Sequence, residues 1–261
     1  MISHDVVVLE RLGPVVVIEL NRPDAANSLN LALASELVRA AQVCDADAEV
    51  RAVVLTARGR FFCGGGDLEE MAGQGPQRGW YVKRLADEAH RAVSTFARMR
   101  APVVVAVNGT AAGGGLAIAA CGDLVLSAES ATYTMAYSKV GLSPDGSSTY
   151  FLPRLIGLRR TQELAFTNRV LTAQEALAWG LVTRVVPDGQ LREEAMTLAN
   201  KLAQGPRQSH AAIKSLLVES LGRDLEGQME VEGRTIAACA ASADGAEGID
   251  AFLGKRRPDF R

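Results

Sequence analysis

An α/β fold with a helical C-terminal region is the class this sequence predicts, on three observations. Short β-branched runs alternate with helical stretches through the first half of the chain. From about Thr161 onward the pattern turns mostly helical. At 261 residues the chain is long enough to bury one sizeable core.

The elements follow in order. Val15–Leu20 and Val50–Ala57 read as buried strands, being apolar runs of strand length. Between them, 28–43 is predicted helical. It sets Leu29, Leu33, Leu37 and Ala41 at steps of four on one face, with Asn27 or Ser28 as the expected N-cap. Trp80–Met99 is a second amphipathic helix, ended before Pro102 because proline cannot continue it. Pro102–Val107 and Leu124–Ala128 are two further strands. Helices are then expected at Gln174–Trp179, Gln190–Ala203, Pro206–Ser220, Leu225–Ala240 and Asp244–Leu253. Helix content alone places a core that holds the site at 1–195 and a helical C-terminal region at 196–261. No repeat of fixed period, low-complexity tract or linker interrupts the chain.

Composition excludes several classes. A net charge of −2 and no basic stripe argue against a nucleic-acid partner. Cys44, Cys63, Cys121 and Cys239 are widely spaced, which speaks for a reducing compartment rather than a disulfide framework or zinc site. The opening "MISHDVVVLERLG" lacks a basic n-region and an apolar core, and the run Ala101–Val107 is too short to cross a bilayer. No membrane association and a cytoplasmic location are therefore expected. The three histidines, His4, His90 and His210, are scattered, so no metal site is expected.

Among motifs, a dinucleotide fingerprint starting at Gly113 fails at Ile118, no P-loop is present, and Gly141-x-Ser143 meets Asp145 where a nucleophile elbow needs glycine. Two glycine clusters remain. "FFCGGGD" (Phe61–Asp67) follows the strand ending at Ala57; "NGTAAGGG" (Asn108–Gly115) follows the strand ending at Val107 and leads into a short apolar helix. Glycine lets backbone N–H groups approach a ligand closely, and N–H groups at a helix start attract negative charge. Two that converge on one oxygen form an oxyanion hole, worth about 3 kcal/mol in a transition state. For either cluster alone, a tight turn without a ligand is the alternative. A third feature, "GLSPDGSST" (Gly141–Thr149), is a turn in which Asp145 either bonds neighbouring N–H groups or faces a reacting molecule.

With these segments in place, the chain resembles the crotonase (enoyl-CoA hydratase/isomerase) superfamily over nearly its whole length. "NRPDAANSLN" (Asn21–Asn30) is similar to the family's lead-in to its first helix. "GRFFCGGGDLEEM" and "APVVVAVNGTAAGGG" resemble the segments that carry its two oxyanion N–H groups, and "CGDLVLSAESATYTM" and "LTAQEALAWGLVTRVVP" are family-like. The resemblance implies a spiral of ββα turns, with C-terminal helices that build a homotrimer or a dimer of trimers. It implies an acyl-CoA substrate, no cofactor beyond the coenzyme A within that substrate, and a thioester enolate held by the N–H groups of Gly66 and Gly114. It places coenzyme A contacts at Arg22, Ala25, Ala26, Leu68, Phe252 and Lys255, the last two reaching a neighbouring subunit; a solvated basic tail is the alternative for "GKRR". Asp67 is expected to brace its loop.

The chain departs from the hydratase pattern at both glutamates, where it carries Ala117 and Tyr137. Its "MAYSKVGLSPD" instead resembles isomerases with a carboxylate in this turn, the 1,2-epoxyphenylacetyl-CoA isomerase-like group most of all. That likeness implies Asp145 as a proton shuttle between two carbons of a dienolate. "LPRLIGLRRTQELAFTNRVL" (Leu152–Leu171) is shared with the aryl-CoA dehalogenases, in which an aspartate at this turn is a nucleophile and a histidine matches His90; those enzymes carry tryptophan where Tyr137 stands. His90 and Tyr137 are thus candidate pocket residues, His90 otherwise a helix-surface group and Tyr137 otherwise filler for the absent glutamate. The function expected is an acyl-CoA isomerase. The alternatives are a hydratase with displaced acid/base groups, an Asp145-nucleophile hydrolase or dehalogenase, and a non-catalytic acyl-CoA- or RNA-binding relative.

Overall fold

The computed structural model describes residues 2–4, as backbone, and 6–260. The chain opens with a meander, β1 (Ile2–His4), β2 (Val7–Leu12) and β3 (Val15–Leu20), followed by helix α1 (Leu31–Ala46). Three ββα turns come next. The first is β4 (Ala52–Ala57) and β5 (Phe61–Cys63) with α2 (Leu68–Gly73) and α3 (Arg78–Arg98). The second is β6 (Val103–Val107), β7 (Thr110–Ala112) and α4 (Gly114–Ala120). The third is β8 (Leu124–Ala128) and β9 (Thr132–Thr134) with α5 (Ser148–Ile156) and α6 (Leu158–Thr167). β10 (Leu171–Thr172), α7 (Ala173–Trp179) and β11 (Arg184–Val186) close the core. The helices α8 (Leu191–Ala203), α9 (Arg207–Ser220), α10 (Leu225–Ala240) and α11 (Ala243–Leu253) complete the chain.

Each turn gives its first strand to one sheet and its second to another. The first strands lie in a seven-stranded sheet of order β1-β2-β3-β4-β6-β8-β11, parallel from β3 onward. The second strands lie in a four-stranded sheet of order β10-β9-β7-β5, parallel from β5 to β9. This is the expected crotonase-type spiral. All of β3 and β6 is buried, as a parallel strand covered on both faces must be. Each buried valine or leucine there contributes about 1.5–3 kcal/mol against its exposed state. α8 runs without a break through residues 195 and 196 and packs over β4 and β6.

One expectation is corrected. The N-cap of α1 is Asn30, whose side chain accepts from the Leu33 N–H at 2.9 Å, so the helix starts at Leu31. Asn27 is instead fully buried with φ 53° and 51° at Ala26 and itself. Its amide donates to the carbonyls of Arg58 (2.9 Å) and Phe61 (2.8 Å), tying its loop to the β4–β5 connection. The two glycine clusters come after β4 and β6 as expected, and each contains a further strand that the sequence does not reveal: β5 within Phe61–Asp67 and β7 within Asn108–Gly115, three residues each and too short to show an alternation.

Helix α9 has one buried residue, and it anchors the helix to the core. Lys214 on α9 donates to Asp123 Oδ2 at 2.6 Å and to the Ala101 carbonyl at 3.3 Å. Beyond it, α10 buries no residue. Among the described residues no helix is long and apolar enough to cross a membrane.

Candidate active site

The parallel strands β5, β7 and β9 end on the same side of the small sheet, and the chain leaves each end through a tight loop: Gly64–Gly66, Gly113 and Ala136. Crevices outside the carboxyl ends of parallel strands are where α/β folds collect ligands. A cavity of about 470 Å³ opens there, between these loops and one face of α3. Its lining is mostly apolar: Leu29, Leu68, Met71, Val82, Leu85, Ala86, Ala89, Val93 and Ile118.

Gly66 and Gly114 both line the cavity. Their loops are held by backbone bonds that leave these two N–H groups aside: Leu29 donates to the Gly65 carbonyl (2.7 Å), Asp67 to Leu29 (2.9 Å) and Gly113 to Thr134 (3.1 Å). Gly114 is the first residue of α4, where an N–H has no intrahelical acceptor. Gly65 makes the approach of the two loops possible. It has φ 97°, and a Cβ there would stand 3.0 Å from the Ala112 carbonyl oxygen. Cys63 precedes this loop fully buried, and burial pushes its thiol up to about 12, so it stays protonated.

Opposite these loops stands the turn that carries Asp145. Ala136 (φ 55°) and Ser147 (φ 75°) both take left-handed backbone on either side of it. Such positions cost about 1–3 kcal/mol each and persist where the surroundings over-determine them. The main-chain carbonyl of Asp145, not its carboxylate, serves the turn: it accepts from Ser148 N (3.0 Å) and Ser148 Oγ (2.8 Å). The carboxylate is left to face the cavity, and its Oδ1 accepts the Tyr137 hydroxyl at 2.8 Å. Burial, and then the charge of Asp145, raise the Tyr137 pKa far above its ordinary value, so the phenol remains a donor. His90 on α3 approaches from the other side, its Nε2 3.7 Å from Asp145 Oδ2 and 3.1 Å from the Gly146 N–H.

The vacated glutamate position is also accounted for. Gly146 lies against Ala117, where a Cβ on it would stand 2.9 Å from the Ala117 methyl. The turn thus fills the space that a longer side chain at 117 would need. Among the residues lining the cavity, Asp145 is the one carboxylate.

The residues expected to meet coenzyme A are placed apart. Leu68 lines the cavity, half-exposed. Ala25 and Ala26 are not among the lining residues, but the Ala26 carbonyl accepts from the N–H of Gly64, which is, at 2.9 Å. Arg22 is committed inward: it pairs with Asp67 at 3.0 Å and bonds the Ser28 carbonyl. Asp67 braces this loop, since its other oxygen caps α2 at Glu70 N (3.0 Å). Phe252 (83% exposed) and Lys255 lie at the end of α11, outside the cavity lining. The α3 wall, Val82, Ala86, Ala89 and Val93, went unnamed in the sequence reading although its helical spacing was visible. Tyr81 pins that wall to α2 through Glu70 Oε1 at 2.6 Å. Among the described residues no three His, Cys, Asp or Glu side chains converge as metal ligands.

Comparison with known proteins agrees with this architecture. The 1,2-epoxyphenylacetyl-CoA isomerase of Escherichia coli (strain K12) is 37% identical over 94% of both chains. A 4-chlorobenzoyl coenzyme A dehalogenase of an Arthrobacter species, dehalogenase-2, is 32% identical over 95% of this chain and 90% of that one. The crystal structure of an enoyl-CoA hydratase from Bacillus anthracis superposes with a TM-score of 0.92, at 33% identity and 98% coverage of each chain. The pattern of the enoyl-CoA hydratase/isomerase family spans residues 10–261. With the spiral, the paired glycine loops and this match all in one chain, the protein belongs to the enoyl-CoA hydratase/isomerase family.

Proposed function

We propose that the protein is an acyl-CoA isomerase that moves a double bond, or rearranges a ring-containing acyl group, through a thioester enolate. The observation that carries this reading is the single carboxylate in the cavity, with Ala117 and Tyr137 where a water-adding enzyme of the family would hold two. One base suffices to take a proton from one carbon and return it two carbons away, whereas water addition by two carboxylates needs both. The thioester oxygen sits between the N–H groups of Gly66 and Gly114, which stabilise it as charge develops. Tyr137 holds Oδ1 of Asp145, so Oδ2 is the oxygen that meets the substrate. Proton transfer changes no oxidation state, so the reaction calls for no redox cofactor.

The coenzyme A moiety would cross Leu68 and the Ala25–Ala26 backbone, with Phe252 and Lys255 contributed by a neighbouring subunit of a homotrimer or dimer of trimers. A cytoplasmic site of action suits the four unpaired cysteines.

A second reading has an observation in its favour. His90 beside Asp145 suits a nucleophilic carboxylate whose covalent intermediate is hydrolysed, as in a dehalogenase or thioester hydrolase. Mass spectrometry of a panel of 2-enoyl- and 3-enoyl-CoA thioesters in D2O separates the two, with wild type and Asp145→Asn. Deuterium uptake and bond migration without water addition, lost in the variant, support the isomerase. Water addition that survives in the variant returns the protein to the hydratases. Release of free acid and coenzyme A favours the nucleophile, and binding without turnover favours a non-catalytic relative.

A further inference from the structure

The nitrogen Nε2 of His90 faces two groups that make opposite demands on it. The Gly146 N–H can only donate, so the contact at 3.1 Å requires a lone pair on Nε2 and the ring proton on Nδ1. Asp145 Oδ2, 3.7 Å from the same atom, can only accept when ionised, and lies beyond hydrogen-bond reach of it. One nitrogen cannot serve both at once. Neutral His90 holds the backbone next to Asp145; protonated His90 repels the Gly146 N–H and attracts the carboxylate.

The surroundings make the exchange feasible. Gly146 has φ 61°, a conformation its lack of a side chain permits, and is the residue following the carboxylate, so the bond acts on the turn itself. The ring also lines a second cavity of about 360 Å³ on the far side of Gly146, and at 47% exposure it can trade protons with solvent there while a ligand fills the first. Other charges near the ring are already engaged. Glu88 and Arg91 on α3 pair with each other (3.0 Å), as do Lys83 and Asp87 (2.6 Å). Across the second cavity Arg98 lies 3.9 Å from Glu219 of α9, and the ring of Tyr150 from α5 is covered by Arg154 at 3.7 Å. Tyr137 faces the same carboxylate from the opposite side as a neutral donor. Asp145 is thus the charged group left for a cationic His90 to join.

We propose that His90 is a positioning residue whose neutral ring latches the Asp145 turn through the Gly146 N–H, and whose protonation redirects Nε2 onto the Asp145 carboxylate and takes that base out of use. The proposal rests on Asp145 being the base, so its test has one part that needs no activity. With three histidines in the chain, 15N NMR of histidine-labelled protein resolves each ring, and His90→Gln assigns this one. At neutral pH the His90 ring is expected with its proton on Nδ1, because Nε2 must accept the Gly146 N–H. A ring protonated on Nε2 at neutral pH overturns the latch whatever Asp145 does in catalysis.

The kinetic part uses two substitutions. Glutamine places an oxygen near the position of Nε2, able to accept the N–H but not to titrate. His90→Gln is therefore expected to keep kcat within a few-fold of wild type and to hold it to lower pH. His90→Leu is expected to lose kcat by about tenfold, the worth of one hydrogen bond, with KM little changed. A Gln variant as impaired as the Leu variant would make His90 a reacting group, and an acid limb identical in wild type and Gln variant would remove the switch; either result overturns the proposal.

Discussion

Tyr137 and Asp145 are eight residues apart, and their hydroxyl-to-carboxylate bond of 2.8 Å fixes which carboxylate oxygen is free. Tyr137→Phe deletes one hydrogen bond to a charged acceptor, worth about 1.5–3 kcal/mol. Since Asp145 is 39% exposed, water takes over part of that role and the lower end applies. The expected result is a fall in kcat of about tenfold with KM for the acyl-CoA little altered, read from initial rates of double-bond migration. An unchanged kcat would mean that Asp145 needs no orientation from the phenol. That Gly66, Gly114 and Asp145 meet at one cavity could be expected from the primary structure because each sits inside a local motif. The Tyr137 and His90 contacts could not, since they depend on how the turn closes and on a helix 56 positions away.

At the level of elements, α9 is held to the core by charge. The Lys214 side chain is 5% exposed and Asp123 is 28% exposed, with Asp123 also accepting Val103 N at 2.7 Å. Lys214→Met strands that carboxylate; a fully buried pair broken in this way loses about 3–5 kcal/mol, and the partial exposure of Asp123 reduces the expected loss to about 2 kcal/mol. Urea denaturation of the two proteins measures it as a lower midpoint at unchanged slope. One turn earlier, His210 packs against Gly205, and burial, followed by the charge of Arg51, lowers its pKa from 6.5. A depressed histidine favours the neutral form in the folded state, so its stabilising contribution is complete above pH 6.5 and is lost as pH falls through the folded value. His210→Gln is expected to flatten the decline of melting temperature below that pH. An identical decline in the variant would assign it to other groups. Long helices such as α3 and α10 were legible from their periodicity. The strands β5, β7 and β9 were not, because three residues carry no period and their pairing partners are distant in the chain.

Over the whole molecule, the C-terminal helices expose large apolar side chains. Ile213, Leu217, Leu221, Leu225, Met229, Ile236 and Leu253 are each more than half exposed, and α10 has no buried residue. Exposed apolar side chains in such number suit an association surface. Analytical ultracentrifugation is expected to find a trimer or hexamer, and Leu217→Glu with Ile236→Glu to shift it toward monomer. A monomeric wild type at micromolar concentration would refute the assembly, and with it any coenzyme A contact from a neighbour's Phe252 or Lys255.

The primary structure by itself determined the two glycine loops and the single carboxylate of the turn, because these depend on residue type at fixed local spacing, and its resemblance to the crotonase superfamily implied the spiral. The tertiary structure decided which groups Asp145 touches, that Gly146 occupies the room beside Ala117, and that one imidazole nitrogen lies between the Gly146 N–H and the Asp145 carboxylate. Those relations arise only where segments far apart in the chain are packed together, at separations of a few ångströms that no local pattern encodes.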